Sequence, residues 1–73
     1  MNTQNNQKTI QVQVNGEEQT LQAETLADVA RHFGLAPETL VAELNGKIFP
    51  ASEFSAPVSD GDTIELVRFV GGG

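Results

Sequence analysis

The sequence predicts a small two-layer α+β domain, one main helix packed on a sheet of four or five strands. Three observations carry this. Two Asn-Gly pairs, Asn15-Gly16 and Asn45-Gly46, are each flanked by strand-like runs. One apolar stripe with helical spacing lies between them. A final alternating run, Thr63 to Val70, leads into three glycines.

Residues 1–8 form a polar leader without periodicity, expected to be flexible. From Thr9 the pattern changes. Ile10, Val12 and Val14 alternate with Gln11 and Gln13, the period of a half-buried strand. Asn15-Gly16 then supplies two residues that tolerate the positive φ of a type I′ turn, so Glu17 to Leu21 runs back as the second strand. Thr25 is an N-cap, and Asp28, three residues on, makes an approximate capping box with Asp in place of Glu or Gln. Leu26, Val29, Ala30 and Phe33 fall on one helical stripe, and Gly34 stands where a left-handed C-terminal cap belongs. Such a short helix is marginal alone, so packing of the stripe on the sheet must hold it.

After Ala36-Pro37, Leu40 to Leu44, Asn45-Gly46 and Lys47-Ile48-Phe49 read as strand, turn and short strand, ended by Pro50. Ala51 to Ser59 is irregular, with Phe54 anchoring it to the core. Asp60-Gly61-Asp62 is a tight turn that launches the last strand. There Ile64 and Leu66 should face the helix and Val67 and Phe69 the opposite side. Arg68 takes the core-facing parity near the tip. The domain is expected to span residues 9–70, with residues 71–73 as a flexible glycine tail.

A 73-residue chain buries only roughly 60% of the surface its unfolded form exposes, which leaves little room for a walled substrate pocket with catalytic groups. There is no Cys, hence no disulfide or thiolate metal site. A formal charge of −6 argues against nucleic acid, which needs a basic footprint, and favours solubility or steering toward a basic docking surface. The lack of a long apolar run argues against membrane insertion or secretory targeting, so a cytoplasmic location is expected.

Candidate chemistry is sparse. Asp60 and Asp62 lack the other oxygen ligands of a calcium loop and read as turn formers. His32, the single histidine, has no partner at a suggestive spacing and reads as a surface or boundary residue. Glu17, Glu18 and Glu24 read as a solvated face. No nucleophile, oxyanion hole, metal cluster or phosphate cradle is evident. What remains is the end of the chain. A terminal glycine run alone is more often a loose end or an expression scar than a device. Glycine tolerates close approach to another protein's surface, however, so Gly71-Gly72 can thread a narrow slot and carry the α-carboxylate of Gly73 into a partner's active site. With a strand and a tight turn directly before it, the functional reading is the better one.

Val41-Ala42-Glu43-Leu44-Asn45-Gly46-Lys47-Ile48-Phe49-Pro50 is similar to the middle signature of the ThiS family, the β-grasp sulfur carriers of thiamine thiazole synthesis. Asp60-Gly61-Asp62 through Phe69-Val70-Gly71-Gly72-Gly73 resembles that family's ending still more closely. The resemblance spans Thr9 to Gly73. It implies a ubiquitin-like β-grasp fold with a mixed sheet whose last strand is central and parallel to the first. It also implies a carrier rather than an enzyme. An E1-like adenylating enzyme (ThiF-type) would use ATP to convert the Gly73 carboxylate to an acyl-adenylate. Sulfur from a cysteine desulfurase or rhodanese-type donor would then give a thiocarboxylate, consumed by a thiazole synthase (ThiG-type). No cofactor would be bound by the carrier. Gly71 and Gly72 would thread the partner's active site, and Val67, Arg68, Phe69 and Val70 would dock against it. Beyond Val70 the tail reaches at most roughly 10 Å when extended, so that active site must lie close under the docking surface. One departure is Ala51, where many members carry Arg or another polar residue after the proline. Two other readings fit the residues: a carrier serving molybdopterin, tRNA thiolation or another sulfur metabolite, and a ubiquitin-like modifier or binding module.

Overall fold

The computed structural model describes residues 8–68. Five strands form one sheet: β1 (Thr9–Val14), β2 (Glu17–Gln22), β3 (Leu40–Leu44), β4 (Lys47–Phe49) and β5 (Thr63–Arg68). The helix α1 (Leu26–His32) crosses one face. Strand order is β2-β1-β5-β3-β4. β5 lies centrally, parallel to β1 and antiparallel to β3, and the remaining neighbours pair antiparallel. The mixed sheet and single helix are those of a β-grasp fold. No helix among the described residues is long and apolar enough to cross a membrane.

Both hairpins form as their Asn-Gly pairs dictate. Asn15 and Gly16 have φ of 53° and 84°, Asn45 and Gly46 of 52° and 88°, so both central residues of each turn are left-handed. The strands that follow are alternately buried. In β1 and β5 the even-numbered residues Ile10, Val12, Val14, Ile64 and Leu66 point under the helix, joined by Leu40, Ala42 and Leu44 of β3.

The helix starts where its four orphan amides find acceptors. Thr25 Oγ1 accepts from Asp28 N–H (3.2 Å), and Asp28 Oδ2 accepts from Thr25 N–H (3.2 Å) and Glu24 N–H (2.9 Å). The box therefore closes with Asp in the Glu position. The loop after β4 serves the other two. Leu26 N–H donates to Ala56 O (3.0 Å) and Ala27 N–H to Phe54 O (2.9 Å). Phe54 and Val58 are buried, so the irregular segment is anchored as its single aromatic suggested.

The apolar stripe is one residue shorter than its spacing predicts. Leu26, Val29 and Ala30 are completely buried, but Phe33 is exposed. The helix ends at His32, and Phe33 is its C-cap with φ −94° and ψ 9°. Gly34, at φ 74°, turns the chain back, with Gly34 N–H on Arg31 O (2.9 Å) and Leu35 N–H on Ala30 O (3.0 Å). This is a Schellman closure. It swings Leu35 onto the core in the place the stripe assigned to Phe33. Phe33 packs edge-on against the exposed His32 ring, centroids 4.9 Å apart. Single 3₁₀ turns at Pro37–Thr39 and Ala51–Glu53 introduce β3 and follow Pro50. Ala51 begins the second, half-buried, its carbonyl accepting from Phe54 N–H.

Candidate functional site

The strand that leads to the glycines is central and held on both flanks. β5 enters through Asp60-Gly61-Asp62, and Gly61, at φ 90°, allows the reversal. Asp60 Oδ1 accepts from Gln11 N–H (2.7 Å) while Gly61 N–H donates to Gln11 O (2.6 Å), which docks the turn on β1. Asp62 accepts from Ser59 N–H (2.7 Å) and from Asn45 Nδ2 (2.9 Å). Both carboxylates are thus used as local acceptors, the turn-forming role their spacing indicated.

Two further pairs of bonds come from the hairpin asparagines. Thr63 N–H donates to Asn45 Oδ1 (2.9 Å) as Asn45 N–H donates to Thr63 O (2.8 Å). On the other flank Leu66 N–H donates to Asn15 Oδ1 (2.8 Å) as Asn15 N–H donates to Ile64 O (2.9 Å).

Away from the helix the sheet is uncovered, and its side chains there come from the odd-numbered residues of β1, β3 and β5. Val67 pairs with Val41, and Glu65 pairs with Glu43, which pairs in turn with Ile48 of β4. Val67 and Ile48 are 57% and 62% exposed, the two largest exposures among the large apolar side chains described. Val41 and Glu43 are half-buried. The result is a small apolar surface of Val41, Ile48 and Val67 around two carboxylates that face each other across the β3–β5 pair. Like charges directly opposite disfavour the pairing, so this arrangement costs the fold something that packing elsewhere must offset. It is a surface suited to contact, with nothing in it that performs a reaction.

Of the residues singled out from the sequence, Val67 and Arg68 lie here, at the end of the central strand. Val67 is on the uncovered face, and Arg68, exposed, pairs with Leu40. Val67 therefore does not pack under the loop around Phe54, which is on the helix side. Phe69, Val70, Gly71, Gly72 and Gly73 fall outside the described residues. Val41, Glu43 and Ile48 were not singled out. Their alternation with Leu40, Ala42 and Leu44 marked them as outward-facing, but their placement beside Val67 follows only from the β3–β5 register. The one described ion pair, Arg31 with Asp28 at 3.5 Å, sits apart on the helix. Among the described residues no group of three or more His, Cys, Asp or Glu could hold a metal ion.

Residues 4–73 of the chain match the ThiS family. The fold is similar to the crystal structure of a thiamine biosynthesis protein (ThiS) from Geobacter metallireducens, with TM-score 0.70 and 32% identity over 88% of this chain and 100% of that one. It is similar too to the NMR solution structure of a thiamine biosynthesis protein from the same organism, with TM-score 0.67 and 32% identity over 88% of each chain. No curated protein matches significantly.

Proposed function

The chain belongs to the ThiS family, a family of small sulfur carriers rather than catalysts, and from that premise we propose that its reacting group is the C-terminal carboxylate of Gly73. As a family member it is a sulfur carrier of thiamine biosynthesis. The proposal concerns how it carries. A carboxylate is a poor acyl donor because oxide is a poor leaving group. An E1-like adenylating enzyme of the ThiF type binds ATP, joins AMP to the Gly73 carboxylate and releases pyrophosphate. The terminal sulfur of a persulfide on a cysteine desulfurase or rhodanese-type donor attacks the carbonyl carbon, and the bond to the AMP oxygen breaks. A second thiol then cleaves the resulting acyl disulfide, leaving as a disulfide with the donor's sulfur and freeing the thiocarboxylate. A thiazole synthase of the ThiG type takes that sulfur. ATP and every catalytic group belong to the partners, and the exchange takes place in the cytoplasm.

The single observation behind this reading is that the family match runs through the last residue and so includes Gly71-Gly72-Gly73. The rest of the geometry is in keeping with it. The strand before the tail is central and pegged on both flanks, and the adjacent apolar surface of Val41, Ile48 and Val67 is open. We assign docking to that surface together with Arg68, Phe69 and Val70, and threading to Gly71 and Gly72.

Intact-mass measurement tests the chemistry. Incubated with ATP, the adenylating enzyme and a sulfur source, the chain should gain the mass difference of one oxygen exchanged for sulfur. A variant lacking Gly72 and Gly73 should gain none. A stable conjugate to lysine in place of that shift, or full sulfur delivery by the truncated variant, would overturn the reading.

A further inference from the structure

The two Asn-Gly turns are alike in a way that turn chemistry alone does not require. In a parallel ladder a residue on one strand donates to one neighbour and accepts from the amide two places further along. Asn15 donates to Ile64 O and should accept from Leu66 N–H through its own backbone carbonyl. With Asn15 already left-handed in the turn (φ 53°), it is the side-chain Oδ1 that accepts, at 2.8 Å. Asn45 repeats the substitution in an antiparallel pair, its Oδ1 receiving Thr63 N–H while its amide donates to Thr63 O. Each asparagine thereby adds one rung to β5 at the point where its own strand turns away.

The two rungs differ in where they fall. Asn45 pegs Thr63, the first residue of β5. Asn15 pegs Leu66, two residues before the strand's last described residue, Arg68. The β1–β5 ladder proper contains only Gln13 with Thr63 and Val14 with Ile64, so Asn15 is the outermost hold on that flank. We infer that Asn15 is a positioning residue for the carrier reaction: β3 pairs with Leu66, Val67 and Arg68 on one flank, the Asn15 side chain closes the other flank at Leu66, and the two together present the docking surface around Val67 to the adenylating partner in one arrangement. This rests on the carrier reading proposed above.

The physical consequence is preorganisation. Without this bond the strand end is held on the β3 flank alone, and the added freedom must be removed when the partner binds, which weakens binding. Once the tail is seated, the partner's own slot sets its geometry. Losing Asn15 Oδ1 should therefore raise KM for the carrier and leave kcat nearly unchanged.

Asn15→Gly is the decisive substitution, because Gly-Gly still suits a type I′ turn and only the acceptor is lost. Amide exchange at Leu66 should accelerate roughly fivefold, the worth of one hydrogen bond. In steady-state adenylation of the full chain, KM should rise by a similar factor of roughly five with kcat within about twofold. Asn15→Asp, which restores an oxygen acceptor and also tolerates the turn, should return both quantities toward those of the parent. Asn45→Gly is the control. It removes the equivalent rung at the strand's beginning and should lower thermal stability without changing KM. Unchanged Leu66 exchange in Asn15→Gly would overturn the peg. A KM that stays constant while the strand loosens, or that rises equally in Asn45→Gly, would overturn the positioning role. If the parent chain is not adenylated at all, the carrier reading fails instead, and the exchange measurement still decides whether the peg exists.

Discussion

The two faces of the sheet are made from the same strands and have opposite composition. Under the helix, nine residues of β1, β2, β3 and β5 are aliphatic and buried: Ile10, Val12, Val14, Leu21, Leu40, Ala42, Leu44, Ile64 and Leu66. One residue along each strand, the other face shows Gln11, Gln13, Glu43, Thr63 and Glu65, and among the described residues the large apolar ones there are Val41, Ile48 and Val67. The difference separates two tasks. The covered face supplies the burial that holds a domain with so little interior together. The open face gives up that contribution, even sets two carboxylates opposite each other, and is the surface to which we assign docking. β5 takes part in both, since Ile64 and Leu66 look one way and Glu65 and Val67 the other.

Truncation on the covered side should have the largest effect. Ile64 is fully buried at the centre of the sheet beneath the helix, so Ile64→Ala should cost about 2–5 kcal/mol through lost transfer energy and an unfilled cavity. In a small domain that is a large part of the total stability. Chemical denaturation should show a midpoint shifted far down or a chain that no longer folds cooperatively. A loss below about 1 kcal/mol would mean that the sheet can collapse around the gap, and the division between faces would be weaker than described.

The open side should respond in binding instead. Val67→Thr keeps the β-branched shape and the strand propensity, and at 57% exposure the new hydroxyl remains hydrated in the free chain. Stability should change by no more than about 0.5 kcal/mol. If Val67 is covered when the adenylating enzyme docks, the hydroxyl is buried without a partner there, and affinity should fall roughly tenfold or more. Titration calorimetry against that enzyme, beside a thermal melt, separates the two quantities. Equal affinity for both forms would remove Val67 from the interface.

Much of this division could be read before any coordinates. Alternation in Ile10-Val14 and Thr63-Leu66, the two Asn-Gly turns, the Thr25–Asp28 box and Gly34 are all local signals, and local geometry was enough to determine their outcome. Phe33 was misplaced because helical spacing continues only while the helix does. The Schellman closure ends it one residue sooner and packs Leu35, partly buried, against the core instead. The carbonyls of Phe54 and Ala56 on the first helical amides, and the asparagine pegs on β5, join residues 18 to 51 positions apart, where no periodicity reaches. The same holds at the open face. Val67 was legible from its parity next to the tail, whereas Val41, Glu43 and Ile48 became its neighbours only through the pairing of β3 with both β5 and β4.

The smallest effect is also the one that sets the two tasks directly against each other. Glu43 and Glu65 face one another in the β3–β5 register, and a like-charged cross-strand pair is unfavourable by a few tenths of a kcal/mol up to about 1 kcal/mol. Glu65→Gln removes that repulsion and keeps a side chain of the same length. The domain should become more stable by about 0.5 kcal/mol. The same substitution withdraws one negative charge from the surface to which docking is assigned, on a chain whose net charge of −6 would steer it toward a basic partner. Association with the adenylating enzyme should therefore slow roughly threefold at low salt, with the difference fading as ionic strength rises. Stopped-flow association at several salt concentrations, paired with denaturation of the free chain, measures both sides. A gain in stability with no change in association rate would mean that the facing carboxylates burden the fold without serving the encounter. No gain in stability would mean that solvent already screens the pair.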